Sequence, residues 1–409
     1  MRRRIDIKAI VMALMVLMGI SSCSKDEAES SAPLLSDAIT FGAIMQPASD
    51  VTRAEDEPTP LHTKAGTFKA WAFKNLGIDQ SSNTYNYTDP QCVIADYTVT
   101  WGANTANTTT TNSSGWEYAD GNEQTVKYWD IDATAYRFLG YAPADALVTA
   151  WLYRPATGGG TGTWEEYEPY DVNWANGFDF TYCRLSANVN ASDEEHSPYM
   201  SHLWFSNNSV EDDMIPYGST VQLKFIKPLA KVRFMFIYSN ETLNGKITIK
   251  DQKFRPIDLH AGIAISGNIL IDYPLTGTNT TELWDTEPKG YMKDSNGENT
   301  FFTNDWYELT EEQAAAAEEA GNTALINGQW YWYTVLPAKS QGSYILTADI
   351  NDADQSAVVP AEYMVWAPGH SYTYIFKITQ DGTIKFDGVQ VAIRKWNEMP
   401  PQTHHVYNW

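Results

Sequence analysis

Carboxylates are the most numerous side chains here that could do chemistry. The 409-residue sequence carries 51 Asp and Glu against 28 Lys and Arg, a formal net charge of −23. Two carboxyl groups could serve as general acid and base across a glycosidic bond, with their separation in space deciding the outcome. Asp130 and Asp132 would share a face if their segment were a strand, and Glu165, Glu166 and Glu168 fall in a stretch that reads as a loop. In so acidic a chain such pairs arise from composition, and solvated surface acids are the simpler reading. Residues 349–354 (DINDAD) resemble a calcium loop but lack the glycine and terminal glutamate of the hand-type motif. There is no phosphate loop with Gly-Lys-Ser/Thr, no G-x-S-x-G and no H-E-x-x-H, and Gly158-Gly159-Gly160 has no following lysine. The 7 histidines are scattered, and the adjacent pair His404-His405 is poorly placed to grip one metal from a regular element. No catalytic residue, metal site or cofactor is therefore expected, and the sequence reads as that of a non-enzyme. Cys92 and Cys183 fit no metal spacing; they could pair in an oxidising compartment or stay buried as free thiols.

The N-terminus carries a different kind of chemistry. Arg2, Arg3 and Arg4 precede an apolar run over residues 10–20, the pattern of an export signal. The run is too short to span a bilayer, which takes about 20 apolar residues. It ends in Ile20-Ser21-Ser22-Cys23, which resembles the lipobox of bacterial lipoproteins, with Cys23 acylated and becoming the first residue of the mature chain. Acyl chains on Cys23 would anchor the protein to outer-membrane lipid at about 0.8 kcal/mol per buried CH₂. The acidic residues 24–29 (SKDEAE) look like a sorting tail for the outer face of that membrane, which implies an outer-membrane lipoprotein at the cell surface. Residues 1–22 hold four basic groups and one acidic group, so the remaining 387 residues stand near −26. That charge repels nucleic acid, and no basic stripe reverses it.

Residues 23–37 read as a flexible tether. Residues 39–44 form a short strand with Ile39, Phe41 and Ala43 on one face. Residues 45–62 are a polar linker in which Arg53, followed by Ala54, is the only Lys or Arg between Lys25 and Lys64 and a ready site for an arginine-specific protease. Strand signals recur at 67–73, 92–101, 136–141, 148–153 and 178–185, and residues 116–118 are expected to form a hairpin with 126–129. In 220–238 (TVQLKFIKPLAKVRFMFIY) the alternation breaks at Pro228, which predicts two strands offset there. Further strands follow at 245–250, 258–272, 330–336, 343–350, 371–378 and 384–396, with a bulge or turn at Asp387-Gly388. A capping box at Thr310-Glu311-Glu312-Gln313, an alanine run and Gly321 predict one short surface helix. The chain is thus all-β, with β-sandwich domains over 38–217 and 218–409. The 15 Trp, 24 Tyr and 15 Phe suit such strands, and could equally present rings to a glycan or a partner subunit.

Taken in order, ISSC, AITFGAI, VTRA, YWDIDATAYRFLGYAP, VQLKFIKPLAKVRFMF and GHSYTYIFKITQDGTIKFDGVQVAIRKW resemble the fimbrillin family of Bacteroidota-type bacteria, the Mfa-like and major-fimbrillin-like surface lipoproteins. The resemblance runs from about residue 15 to residue 396. It implies two tandem transthyretin-like β-sandwich domains and assembly with other fimbrial subunits into an adhesive fimbria, with a host or bacterial surface protein or glycan as the target. It also implies cleavage after Arg53, removal of the strand around Ile39, Phe41 and Ala43, and filling of the vacated groove by a strand from a neighbour. The donor would be the C-terminal segment, with Val406, Tyr407 and Trp409 as plugs. Eight residues follow Pro401, which is short for a donor strand and leaves a tip or anchor subunit open as an alternative. A surface glycan-binding lipoprotein, using the aromatics of 151–174 and 330–333, is the other alternative; it requires coplanar exposed rings.

Overall fold

The computed structural model describes residues 38–45, 59–76, 78–79, 84–85, 90–102, 115–120, 123–156, 160–167, 181–207, 217–238, 247–258, 262–275, 283–293, 297, 301–303, 307–309, 333–339, 342–379 and 382–393. These residues form strands with three short 3₁₀ turns between them. The helix expected at 310–321 lies outside the described residues, as do Cys23, Arg53, Ala54, Val406, Tyr407 and Trp409.

The first sheet has eight strands. Its path runs Phe41–Met45, Val221–Ile226, Tyr199–Ser201, Ala133–Ala142, Thr67–Leu76, Pro90–Trp101 and Trp116–Glu117, with Trp204–Asn207 also paired to Ala133–Ala142. Side chains alternate between faces along a strand, and the two-residue period in TFKAWAF sorts cleanly. Phe68, Ala70 and Ala72 enter one core, whereas Trp71 and Phe73 enter another. The sheet curls until its first strand approaches its last: Ala38 bridges Tyr128, and the Ile39 N–H donates to the Lys127 carbonyl at 2.8 Å. The result is a near-closed barrel. Its interior is filled by aromatic rings, among them Phe41, Phe68, Trp116, Tyr118, Trp129, Tyr136, Phe138 and Phe225.

A five-stranded sheet covers the barrel's outer face in the order Leu283–Tyr291, Ala264–Pro274, Tyr182–Asn190, Val148–Arg154, Thr163–Glu166. Cys183, Leu185, Ala187, Val189, Ile269, Ile271 and Tyr273 pack there against Trp71, Phe73, Leu139 and Tyr141. A second sandwich sets the four strands Tyr333–Val335, Ala230–Tyr238, His370–Ile378 and Ile384–Ile393 against a sheet of Ile247–Pro256, Tyr344–Ile350, Ala353–Val359 and two short strands. Tyr344, Trp366, Tyr374 and Phe376 lie fully buried in its core.

Pro228 separates two strands as the sequence predicts, because proline cannot donate to a ladder. Val221–Ile226 completes the barrel and Ala230–Tyr238 opens the second sandwich. Strands Ala264–Pro274 and Leu283–Tyr291 then return to the first unit. The sheets therefore interleave across Gly218. Both Phe41–Met45 with Val221–Ile226 and Ala230–Tyr238 with His370–Ile378 are parallel pairs, which require long crossovers.

The expected hairpin of 116–118 with 126–129 does not form. Trp116 and Glu117 pair with Trp101 and Thr100, and Tyr128 bridges Ala38 instead. Gln124 decides this: its amide accepts from Thr98 N–H at 2.7 Å and donates to the Thr98 carbonyl at 2.9 Å, so the intervening loop is pinned to a third strand. The bulge at Asp387-Gly388 is present, with Ile375 opposite Gly388 and Phe376 opposite Phe386.

Both Cys92 and Cys183 are free thiols. Burial disfavours the thiolate, pushing Cys92 up to about 12 and raising Cys183 well above its ordinary value. In the folded protein Cys183, which is fully buried, should react with an aromatic disulfide reagent far more slowly than a solvent-exposed thiol does, and both cysteines should react at once when the chain is denatured. Rapid native labelling of Cys183 would contradict this packing.

Candidate functional site

Among the described residues, the strand Phe41–Met45 and the socket that holds it make the most unusual constellation. The strand leads the described chain yet sits in the barrel wall. Ile39 and Phe41 have no exposed surface, and Ala43 and Met45 retain 4% and 9%. Phe41 meets Phe68, Tyr118 and Phe138 edge-on, at ring-centre distances of 5.9, 5.7 and 6.0 Å. Burial of an Ile, Phe or Met side chain stabilises by about 1.5–3 kcal/mol each, so these side chains are a main reason for the strand to stay. Ile39, Phe41 and Ala43, which the sequence places on one face, do share the barrel interior.

Backbone pairing fixes the strand along both edges. Phe41 to Met45 run parallel to Val221 to Phe225 in unbroken register, and the Val221 N–H donates to the Thr40 carbonyl at 2.8 Å. The Thr40 and Thr220 hydroxyls are 3.1 Å apart. On the other edge Tyr118 is the pivot: its hydroxyl donates to the Ile39 carbonyl at 3.0 Å and accepts from the Lys127 N–H at 2.9 Å. Burial raises the Tyr118 phenol, so it stays protonated and able to donate. The Gln222 side-chain amide lies over Gly42, 2.2 Å from where a Cβ would sit, a contact that the flexible glutamine end could relieve by swinging away. At the far end Ile44 bridges Pro60, and the Met45 N–H donates to the Thr59 carbonyl at 2.8 Å. Met45 and Thr59 are thus hydrogen-bonded neighbours. Arg53 and Ala54 fall between them in the sequence, outside the described residues.

The loop that meets the strand's N-terminal end is itself tied down. Asp130 accepts from the Lys74 ammonium, and its Oδ1 accepts from the Asp132 N–H at 3.0 Å. Its own N–H donates to the Tyr136 hydroxyl at 2.8 Å. The hydrogen bond from Lys74 holds the Asp130 carboxyl below the usual carboxylate range. Asp130 and Asp132 therefore lie in a turn rather than on a strand face, and Asp130 is spent on structure. Glu165 pairs with Arg154 at 2.9 Å, and Glu168 is outside the described residues. Residues 349–354 form a tight hairpin in which Asn351 and Asp352 take positive φ, and Asp352 pairs with Lys250 at 2.8 Å. No group of three or more His, Cys, Asp or Glu among the described residues could hold a metal ion.

The described aromatics of 151–167 do not form a flat platform; residues 168–174 lie outside the described residues. Tyr153, Trp164 and Tyr182 cluster on the outward side of the five-stranded sheet, but Tyr153 is tilted 57° to Trp164 and 84° to Tyr182. Arg184 occupies the face of Trp164 at 3.9 Å while binding Asp272 through two nitrogens. Of residues 330–333, Tyr333 alone is described, and it packs near Phe234. Sequence reasoning missed Tyr118, Gln222 and the Thr59-Pro60 contacts. Nothing local marks them, since each acts on a strand distant in the chain.

No family model and no curated relative matches the sequence. Solved structures do. The chain is similar to a fimbrial protein of Bacteroides vulgatus, at 14% identity over 86% of this chain and 98% of that one, with a TM-score of 0.35. It is also similar to proteins named for cell adhesion from Parabacteroides distasonis (9% identity, 89% and 99% covered, TM-score 0.38) and Bacteroides uniformis (12%, 87% and 98%, 0.31). At such identities and TM-scores the likeness fixes neither fold nor function.

Replacing Phe41 by Ala should lower unfolding free energy by about 3–5 kcal/mol, the cost of emptying an aromatic core site; a denaturant midpoint unchanged from wild type would mean that the strand is not seated. Acid should loosen the closing loop. The folded Asp130 carboxyl titrates below its unfolded value near about 3.9, so its stabilisation is complete above that pH and is lost as pH falls through the folded value. A Lys74→Met variant should show less of this acid sensitivity in thermal melts.

Proposed function

We propose that this chain is a structural subunit of an adhesive cell-surface fimbria, carried to the outer membrane as a lipoprotein acylated at Cys23. On this reading its sandwiches are tandem transthyretin-like units, and it has no catalytic role. The observation that supports it best is the lead strand. It is buried in the barrel wall, precedes Arg53 in the sequence, and would be severed from the body by one cut after that residue. Loss of the strand would expose the Phe68, Tyr118 and Phe138 pocket and one edge of Val221–Ile226. A neighbour's strand could fill both at once, since main-chain bonds supply affinity and alternate side chains supply fit. Val406, Tyr407 and Trp409 are the candidate plugs of such a donor. A joint of this kind is heterologous and propagates into a filament where it does not close.

Cutting and release are separate events on this geometry. The contacts at Thr59-Pro60 and the buried side chains hold the lead strand after the peptide bond is broken. Treatment of the chain with an arginine-specific protease should therefore give two fragments on a denaturing gel that still travel together by native mass spectrometry. Oligomers should then grow on prolonged incubation, and an Arg53→Ala variant should do neither. Resistance at Arg53, or a cut protein that remains monomeric indefinitely, would refute the assembly reading.

A further inference from the structure

The interleaved sheets leave one set of polar contacts that belongs to neither core. The 3₁₀ turn Ala191–His196 links two strands of the first unit, Tyr182–Asn190 and Tyr199–Ser201. Its Glu194 side chain reaches the second sandwich. One carboxylate oxygen accepts from the Lys231 ammonium at 2.9 Å and the other from the Thr334 hydroxyl. Lys231 and Thr334 are register partners on adjacent strands, so one carboxylate grips two strands of the second sandwich.

The same turn is gripped from beneath. Lys227 is 3% exposed and follows the last residue of Val221–Ile226. Its ammonium donates to the carbonyls of Glu194 at 2.8 Å, Glu195 at 3.2 Å and Ser197, which uses all three of its protons, and it sits 4.2 Å from the Tyr199 ring centre. Chain crossings lie alongside. The Gly369 N–H donates to the Leu229 carbonyl and the Leu336 N–H to the Ala264 carbonyl, at 2.8 and 2.9 Å. Consecutive residues divide between the two cores here: Leu229 and Ala230, Ile263 and Ala264, Val335 and Leu336.

We infer that the turn Ala191–His196 is a clasp that locks the two sandwiches into one body, with Glu194 as the side chain that joins them and Lys227 as the residue that holds the turn in place. Crossing chains keep the units adjacent but still permit rocking about the crossings. A charged group shared between one unit's turn and two strands of the other removes that freedom, because any rocking strips a partly desolvated carboxylate of its donors. The clasp acts whatever the chain carries at its ends, so it does not depend on the fimbrial reading.

Hydrogen exchange on the full chain tests this. Glu194→Gln should speed exchange of the Leu336 and Gly369 amides, which bridge the units, by roughly tenfold. Amides inside Ala133–Ala142 and Tyr344–Ile350 should be unchanged. Lys231→Met, altered from the other side, should produce the same local effect, and combining it with Glu194→Gln should add little. Asp193→Asn serves as the control: it removes the exposed pair with His196 in the same turn, which does not reach the second sandwich, and it should leave the bridging amides protected. Unchanged bridging amides in both Glu194→Gln and Lys231→Met, or equal acceleration by Asp193→Asn, would overturn the clasp.

Discussion

The parallel pairing of the lead strand with Val221–Ile226 is the constraint on which the rest of the first unit depends. A sheet with a free edge exposes a row of unpaired amides and carbonyls, and curling it into a barrel removes the edge only if a last stave fits. Here that stave comes from the start of the described chain. It supplies Phe41 to the aromatic interior and offers backbone groups to both neighbours. Because the pair is parallel, its partner cannot come from an adjacent hairpin. The long excursion between residue 45 and residue 221 is a direct consequence, and the whole barrel is built inside it.

That arrangement concentrates the unit's stability in contacts that are distant in sequence. Tyr118 joins the closing loop to Ile39, Gln124 ties the same loop to Thr98, and Asp130 ties it to Lys74. Of these, the Tyr118–Ile39 bond spans the barrel's closure, while the other two brace the loop to strands already paired beside it. The strand held by this network is also connected onward through a linker with a lone arginine. Of the candidate carboxylates, Asp130 is engaged by Lys74 and the Asp132 amide, and Glu165 by Arg154.

The second unit is joined to the first by more than a linker. Strands Ala264–Pro274 and Leu283–Tyr291 return to the first unit's sheet, and the turn at Glu194 reaches across to Lys231 and Thr334. Interleaving makes both cores of the first unit depend on residues beyond Gly218, whereas the second sandwich's core is drawn from residues 230–384 alone. The two units are thus linked through backbone hydrogen bonds and a shared carboxylate.

The sequence by itself determined the strand-rich class, the division of TFKAWAF between two faces, the break at Pro228, the bulge at Asp387-Gly388 and the inward face of Ile39, Phe41 and Ala43. All of these follow from alternation and from proline and glycine backbone limits, which act over a few residues and need no partner. Only the tertiary structure decided which strands are neighbours. Residues 116–118 and 126–129 carry good hairpin signals, yet Gln124 and Tyr118 send them to Trp101 and Ala38. The interleaving across Gly218 was likewise invisible, because side-chain alternation records the two faces of a strand and is silent about its edges. Edge pairing is chosen by backbone hydrogen bonds that every residue type except proline can make, so it leaves almost no mark on composition.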